Sequence, residues 1–202
     1  KIVRQGICQG MSEEKNHPTA LEAPEGDVTP LTLSLVGKLL AQSRQSPNKR
    51  MLQKLHKSLD STAHRMFNAL QPGTYVMPHR HIDPAKEETL LVMAGSMLFI
   101  RFTDDGEIAE QILLQPGTET FGVDVAPNVY HTYVPLKPDT LVFECKTGPY
   151  SADSDKDVPD WAPLEGTPEA EPYLLEMLKA LAAKANAEAE AVKAGRGEEP
   201  DQ

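Results

Sequence analysis

Two histidines two residues apart, His79 and His81, are the residues of this chain best placed to do chemistry. On an extended segment, side chains at i and i+2 leave the same face, a spacing suited to two ligands of one ion. Glu88 opens the next apolar run after a six-residue loop and can return a carboxylate to that face; Glu87 would point the other way, and phase with Leu90 and Val92 favours Glu88. His131 offers another imidazole in a later apolar run, behind the turn residues Pro127 and Asn128. Three imidazoles and a carboxylate form a mixed N/O set suited to Fe(II), Mn(II), Ni(II), Co(II) or Zn(II), with coordination positions left for water or substrate.

Positioning such a set requires a rigid scaffold, and after residue 60 the pattern is of short apolar runs separated by Gly, Pro, Asn and Asp. Candidate strands cover 64–70, 75–81, 88–94, 96–102, 108–114, 119–123, 129–134 and 140–146. This predicts a mainly β domain, a double-sheet jelly roll or small barrel. Before it, the helical spacing of Leu31, Leu35, Val36 and Leu39 predicts a helix over 31–44. Ser46-Pro47, followed by Met51, Leu52, Leu55 and Leu59, predicts a second helix up to residue 60. Residues 148–166, with Tyr150 and Trp161, read as a loop anchored by its rings, and 172–193 as a helix. The expected organisation is a flexible arm over 1–30, a barrel domain with leading helices and wrapping loop over 31–166, and a C-terminal helix and tail over 167–202.

Composition narrows the function. The 202 residues carry 20 Lys plus Arg against 30 Asp plus Glu, a net charge of −10 that repels a phosphate backbone, so nucleic acid is not an expected partner. The longest apolar stretch, 90–100, is far below the roughly 18–20 residues of a spanning helix, so neither is membrane. Cys8 and Cys145 are far apart and form no CxxC, which favours a reducing cytoplasm over a disulfide framework. The chain begins at Lys1 with no apolar targeting region, a start compatible with a removed leader.

The spacing Gly73, His79-x-His81, Glu88 and Gly95, with Pro127 and His131 downstream, resembles the two motifs of the cupin superfamily. Further segments are similar to the WbuC-type cupin metalloproteins: Ser43-Arg44, Leu55-His56, Arg65-Met66-x-Asn68-Ala69, 70–75, 78–81, 127–131, Phe143-Glu144-x-Lys146-x-Gly148-Pro149-Tyr150 and 161–166. The resemblance spans about 35–166 and implies a cupin double-stranded β-helix, with a divalent metal at His79, His81, Glu88 and His131. It also implies a bacterial surface-polysaccharide context and, by analogy with cupins, a homodimer. This chain departs from the usual pattern with Asn128 in place of glycine and with its six-residue loop between His81 and Glu88.

The leading expectation is a metal-dependent isomerase- or oxygenase-type enzyme for a small polar, sugar-derived or carboxylate molecule. His56 and Tyr75 are the candidates for proton transfer, and Arg44, Arg65, Asn68 and Lys146 for substrate binding. Glu144 alternates in phase with Lys146, whereas Cys145 belongs to the opposite face; His64 reads as a surface strand residue. Two other readings stand beside it. One is a non-catalytic metal-containing binding or regulatory module. The other is a metal-free sugar-nucleotide epimerase with a His base and a Tyr acid, kept open by Tyr75, Tyr130 and Tyr133.

Overall fold

A computed structural model of the chain describes residues 18–82, 84–151 and 155–196. Two sheets face each other across a common core. The larger is built from β1 (Ala20–Leu21), β2 (Arg50–Lys54), β3 (Ala63–Leu70), β4 (Glu88–Ala94), β7 (Gly122–Val125) and β9 (Thr140–Thr147), in the order β1-β2-β3-β9-β4-β7. The smaller has β5 (Met97–Phe102) at its centre, between β6 (Ile108–Leu114) and β8 (His131–Pro135). This is the mainly β jelly roll expected from the pattern of short runs and turns. The helices α1 (Leu33–Gln45) and α2 (Ala170–Arg196) lie outside the sandwich.

Alternation along the strands divides the molecule into layers. Leu70, Leu90, Val92, Val125 and Val142 of the large sheet meet Met97, Phe99, Leu114 and Tyr133 of the small one. On the outer face of the large sheet, Phe67, Ala69, Leu141 and Met51 cover Leu39 of α1. On the outer face of the small sheet, Ile100, Phe102 and Val134 pack on Leu174, Met177 and Leu181 of α2. Trp161 closes this cluster, its ring against Phe102 and Tyr130 and its Nε1–H donating to the Asp104 carbonyl at 3.0 Å, so the wrapping loop is held by that ring.

At the other end of the sandwich, the same inward-facing phase carries polar residues. In register, His64 faces Lys146 and Met66 faces Glu144 across β3 and β9, while Glu88 faces Lys146 across β4 and β9. The sandwich therefore has a dry apolar end and a polar end, set by which residues occupy the inward positions of the same strands.

Three sequence expectations are corrected. The second N-terminal helix does not form. Ser46 caps α1, Lys49 turns back with φ 58° and its N–H donates to the Ser46 carbonyl at 2.9 Å, and 50–54 alternates in burial as β2. Pairing with β3 over five residues outweighs an apolar spacing that fits a helix equally well. The expected strand over 75–81 is an extended segment with isolated bridges only, consistent with Pro78 having no N–H to donate. Within the expected arm, Ala20–Leu21 pairs parallel to β2, and Leu21 packs against the α1 cluster. Cys8 lies outside the described residues.

Gly95, at φ 78°, turns the chain from β4 into β5 with Thr140 pressed against it; an added Cβ would lie 2.8 Å from the Thr140 Cα. Gly95→Ala is expected to lower unfolding free energy by about 2–4 kcal/mol, from left-handed strain plus overpacking. A urea midpoint indistinguishable from wild type would contradict this.

Candidate functional site

Backbone pairing brings the four chemical residues together. His79 and His131 exchange reciprocal N–H···O bonds of 3.0 and 2.9 Å, and the His81 carbonyl accepts from Asn128 N–H at 3.0 Å. Between them, Arg80 exchanges a 2.9 Å pair with Asp157 on the opposite side of the segment. This alternation aims His79 and His81 inward and Arg80 outward, where Arg80 lies 4.2 Å over the Tyr130 ring and bonds the Asp157 carboxylate. Glu88 projects inward from the first position of β4, buried, while Glu87 is exposed.

One ligand atom from each of His79, His81, Glu88 and His131 lies within 4.8 Å of the others, and all four residues are buried. The tautomers are fixed from behind. His79 Nδ1 donates to the Met77 carbonyl and His131 Nδ1 to the Val129 carbonyl, each at 2.9 Å, and His81 Nδ1 donates to the Asp155 carbonyl. A carbonyl only accepts, so each Nδ1 carries a proton and each Nε2 of a neutral ring presents a lone pair inward. Burial pushes His79 well below the ordinary histidine range, which keeps it neutral.

Those lone pairs have little else to bind. His131 Nε2 is buried with no hydrogen-bond partner among the described residues, and the Phe99 ring stacks on that imidazole at 5.6 Å. His81 Nε2 faces Glu88 Oε2 at 3.2 Å, two acceptors with no donor between them in this tautomer. Burial opposes the Glu88 charge and the Lys146 ammonium favours it, while the two imidazoles, presenting lone pairs in these tautomers, give the carboxylate no donor. A cation at the centre satisfies all four groups, so the donor set fits a first-row divalent metal.

A cavity of about 550 Å³ opens from this cluster along the polar end of the sandwich. His56, His64, Asn68, Glu144, Lys146, Asp155 and Lys156 are among its lining residues. Asn68 Nδ2 donates to Glu144 Oε2 at 2.7 Å, while Lys86 and Lys146 donate to Asp155 at 2.6 and 3.0 Å. Burial and the charge of Glu88 push the Glu144 carboxyl up. Burial alone would lower Lys146, but Glu144, Glu88 and Asp155 raise it above the usual lysine value and keep it an ammonium.

Of the residues singled out from sequence, His56, Asn68 and Lys146 line this cavity; Tyr75, Arg44 and Arg65 do not. His56 Nδ1 is engaged by the Arg65 backbone, and its Nε2 has no hydrogen-bond partner among the described residues. Tyr75 donates its hydroxyl to the Pro163 carbonyl at 2.9 Å and packs edge-on against Tyr173. Arg44 is paired with Asp139 at the end of α1. Arg65 is exposed because it lies three residues from Asn68 on one strand, hence on the other face.

His64 is not a surface residue: it is 2% exposed, lines the cavity and stacks on His56 with centroids 4.1 Å apart. Its place two residues before Met66 and four before Asn68 was the available signal. Lys86, Asp155 and Lys156 had none, since they sit in loops without periodicity. Burial, His56, Lys146 and Lys86 push the His64 ring down, against the Leu59 carbonyl that accepts its Nε2–H. The unfolded chain takes up that proton near pH 6.5 while the native chain resists until lower pH, so stability is expected to fall as pH drops through about 6.5 and below. His64→Gln should reduce that slope in urea titrations of the metal-free protein, leaving the part that buried His79 contributes; an unchanged slope would contradict the assignment.

Residues 31–114 match the model of a domain of unknown function, DUF6016. No curated protein matches the chain. Among solved structures it is similar to KdgF from Halomonas sp., at 19% identity over 54% of this chain and 84% of that one, with a TM-score of 0.41. It is also similar to a DMSP lyase structure (RdDddP and RnDddQII), at 19% identity over 58% and 56%, TM-score 0.43. A third likeness is to the Bacillus subtilis oxalate decarboxylase studied for its Mn(II) centres, at 12% identity over 50% and 25%, TM-score 0.39. The chain thus spans about half and a quarter of the latter two. Among the described residues, no helix is long and apolar enough to cross a membrane.

Proposed function

We propose that this chain is a divalent-metal protein of the cupin type, close to the WbuC-like group, acting on a small polar molecule held in the cavity. The observation that carries this reading is the convergence of three Nε2 lone pairs and one carboxylate, each ring fixed from behind by an Nδ1–H bond to a backbone carbonyl. His79, His81, Glu88 and His131 would hold the ion, which supplies Lewis acidity toward an oxygen of the substrate.

The remaining tasks fall to side chains that line the cavity. Lys146 offers an ammonium for hydrogen bonding, held by Asp155 at 3.0 Å. Glu144, raised by burial and by Glu88, is suited to hold or release a proton, and Asn68 fixes one of its oxygens at 2.7 Å. Of the two expected candidates for proton transfer, His56 is the one that lines the cavity, with its Nε2 unpartnered among the described residues.

The test is titration of metal-free protein with Co(II), followed by visible absorption. Saturation at about one equivalent with a spectrum of nitrogen and oxygen ligation supports the reading. No cobalt spectrum above that of free ion would overturn it.

A further inference from the structure

The charges enclosed at the polar end of the sandwich do not leave room for a neutral ligand to be indifferent. Three carboxylates, Glu88, Glu144 and Asp155, and two ammonium groups, Lys86 and Lys146, are buried in or beside the cavity, while Lys156 lines it as an exposed residue. Arg50 and Lys54, at the rim, are matched by Glu165 and Glu22. A divalent metal ion at the four-residue cluster would therefore leave the buried groups with one positive charge in excess, where such an excess is costly, and Lys156 adds a second at the exposed side of the cavity. The imbalance stands out in a chain whose overall net charge is −10. The ammonium groups also differ in what holds them. Lys86 and Lys146 are tied to Asp155, whereas Lys156 lines the cavity with no ion-pair partner among the described residues.

We propose that the ligand of this cavity is a small dianion: a carboxylate that meets the metal-binding cluster at one end, with a second acidic group that meets Lys156 at the other. This deepens the functional reading above and rests on it. The volume of about 550 Å³ falls in the range of small-molecule sites, and Asn68 and Lys146 are among the lining residues that carry donors. Neutral sugars are then the disfavoured class, since they bring no charge to offset the ion. A protonated Glu144, the form that its burial favours, enlarges the positive excess and strengthens the preference.

The experiment uses malonate and its neutral isostere malonamide, titrated into Co(II)-loaded protein and followed by calorimetry and visible absorption. Cobalt content is measured on the same samples. Malonate is expected to bind and perturb the cobalt spectrum, with malonamide at least about tenfold weaker. Lys156→Ala should weaken malonate about tenfold, while Lys156→Arg retains most of the affinity. Absent or equal binding of the two probes, or a Lys156→Ala protein that binds malonate like wild type, would overturn the proposal with cobalt in place. Protein that takes up no cobalt would overturn the metal reading beneath it instead.

Discussion

The His131→Leu protein is expected to bind divalent metal roughly 10²–10³-fold more weakly than wild type while the metal-free fold keeps its stability to within about 1 kcal/mol. The two halves of this result have separate causes. Metal affinity falls because one of the converging donors is removed. Stability is nearly unchanged because the lost Nδ1–H bond to the Val129 carbonyl is offset by removal of the buried Nε2, which has no partner among the described residues. The backbone pair with His79, which orders the segment, does not depend on the side chain. Phe99, now stacked on the imidazole, keeps an apolar neighbour. Competition with a chelating indicator gives the affinity, and urea denaturation of metal-free protein gives the stability. A core histidine serving only to pack would reverse the pattern, with stability lost and metal affinity unchanged.

Asp155→Ala should have the largest effect on stability, about 3–5 kcal/mol in urea denaturation. Asp155 accepts from both Lys86 and Lys146, and Lys86 is 1% exposed, so removing the carboxylate strands a buried ammonium. The Asp155 main-chain carbonyl also receives His81 Nδ1–H, so the same loop orients a metal-binding ring. Metal affinity should fall by about tenfold through that loss of support. Combining Asp155→Leu with Lys86→Met should restore much of the stability, because it removes the buried Lys86 ammonium together with the carboxylate and leaves Lys146 to Glu144 and Glu88. A loss below about 1 kcal/mol for Asp155→Ala would show that the ammonium finds water or another partner.

How much of this was legible in the sequence depends on periodicity. His79, His81 and Glu88 could be placed on one face because a two-residue period constrains any extended chain, whether or not it forms a regular strand. The same rule put Glu144 and Lys146 opposite Cys145, as observed, with Cys145 only partly buried on the outer face. By the same rule Arg65 and Asn68, an odd separation on one strand, face opposite ways, and His64 and Met66, an even one, share the inward face. The error over 47–60 had another source. Met51, Leu52, Leu55 and Leu59 fit a helical stripe, but the decision between helix and strand lay in β3, a partner more than ten residues away that offers five paired positions. Tyr75 was attractive for its place in the motif, yet its hydroxyl is taken by Pro163, which only the wrapping loop brings near. Lys86, Asp155 and Lys156 come from loops, where no period links sequence to direction, and their meeting is a property of the fold.

The most direct test of the metal centre is elemental mass spectrometry on protein purified without a histidine tag, with His131→Leu alongside. The account predicts about one equivalent of a divalent first-row metal in wild type and almost none in the variant. Wild-type protein that carries no metal, and takes up none after incubation with Fe(II), Mn(II), Ni(II), Co(II) or Zn(II), would contradict it.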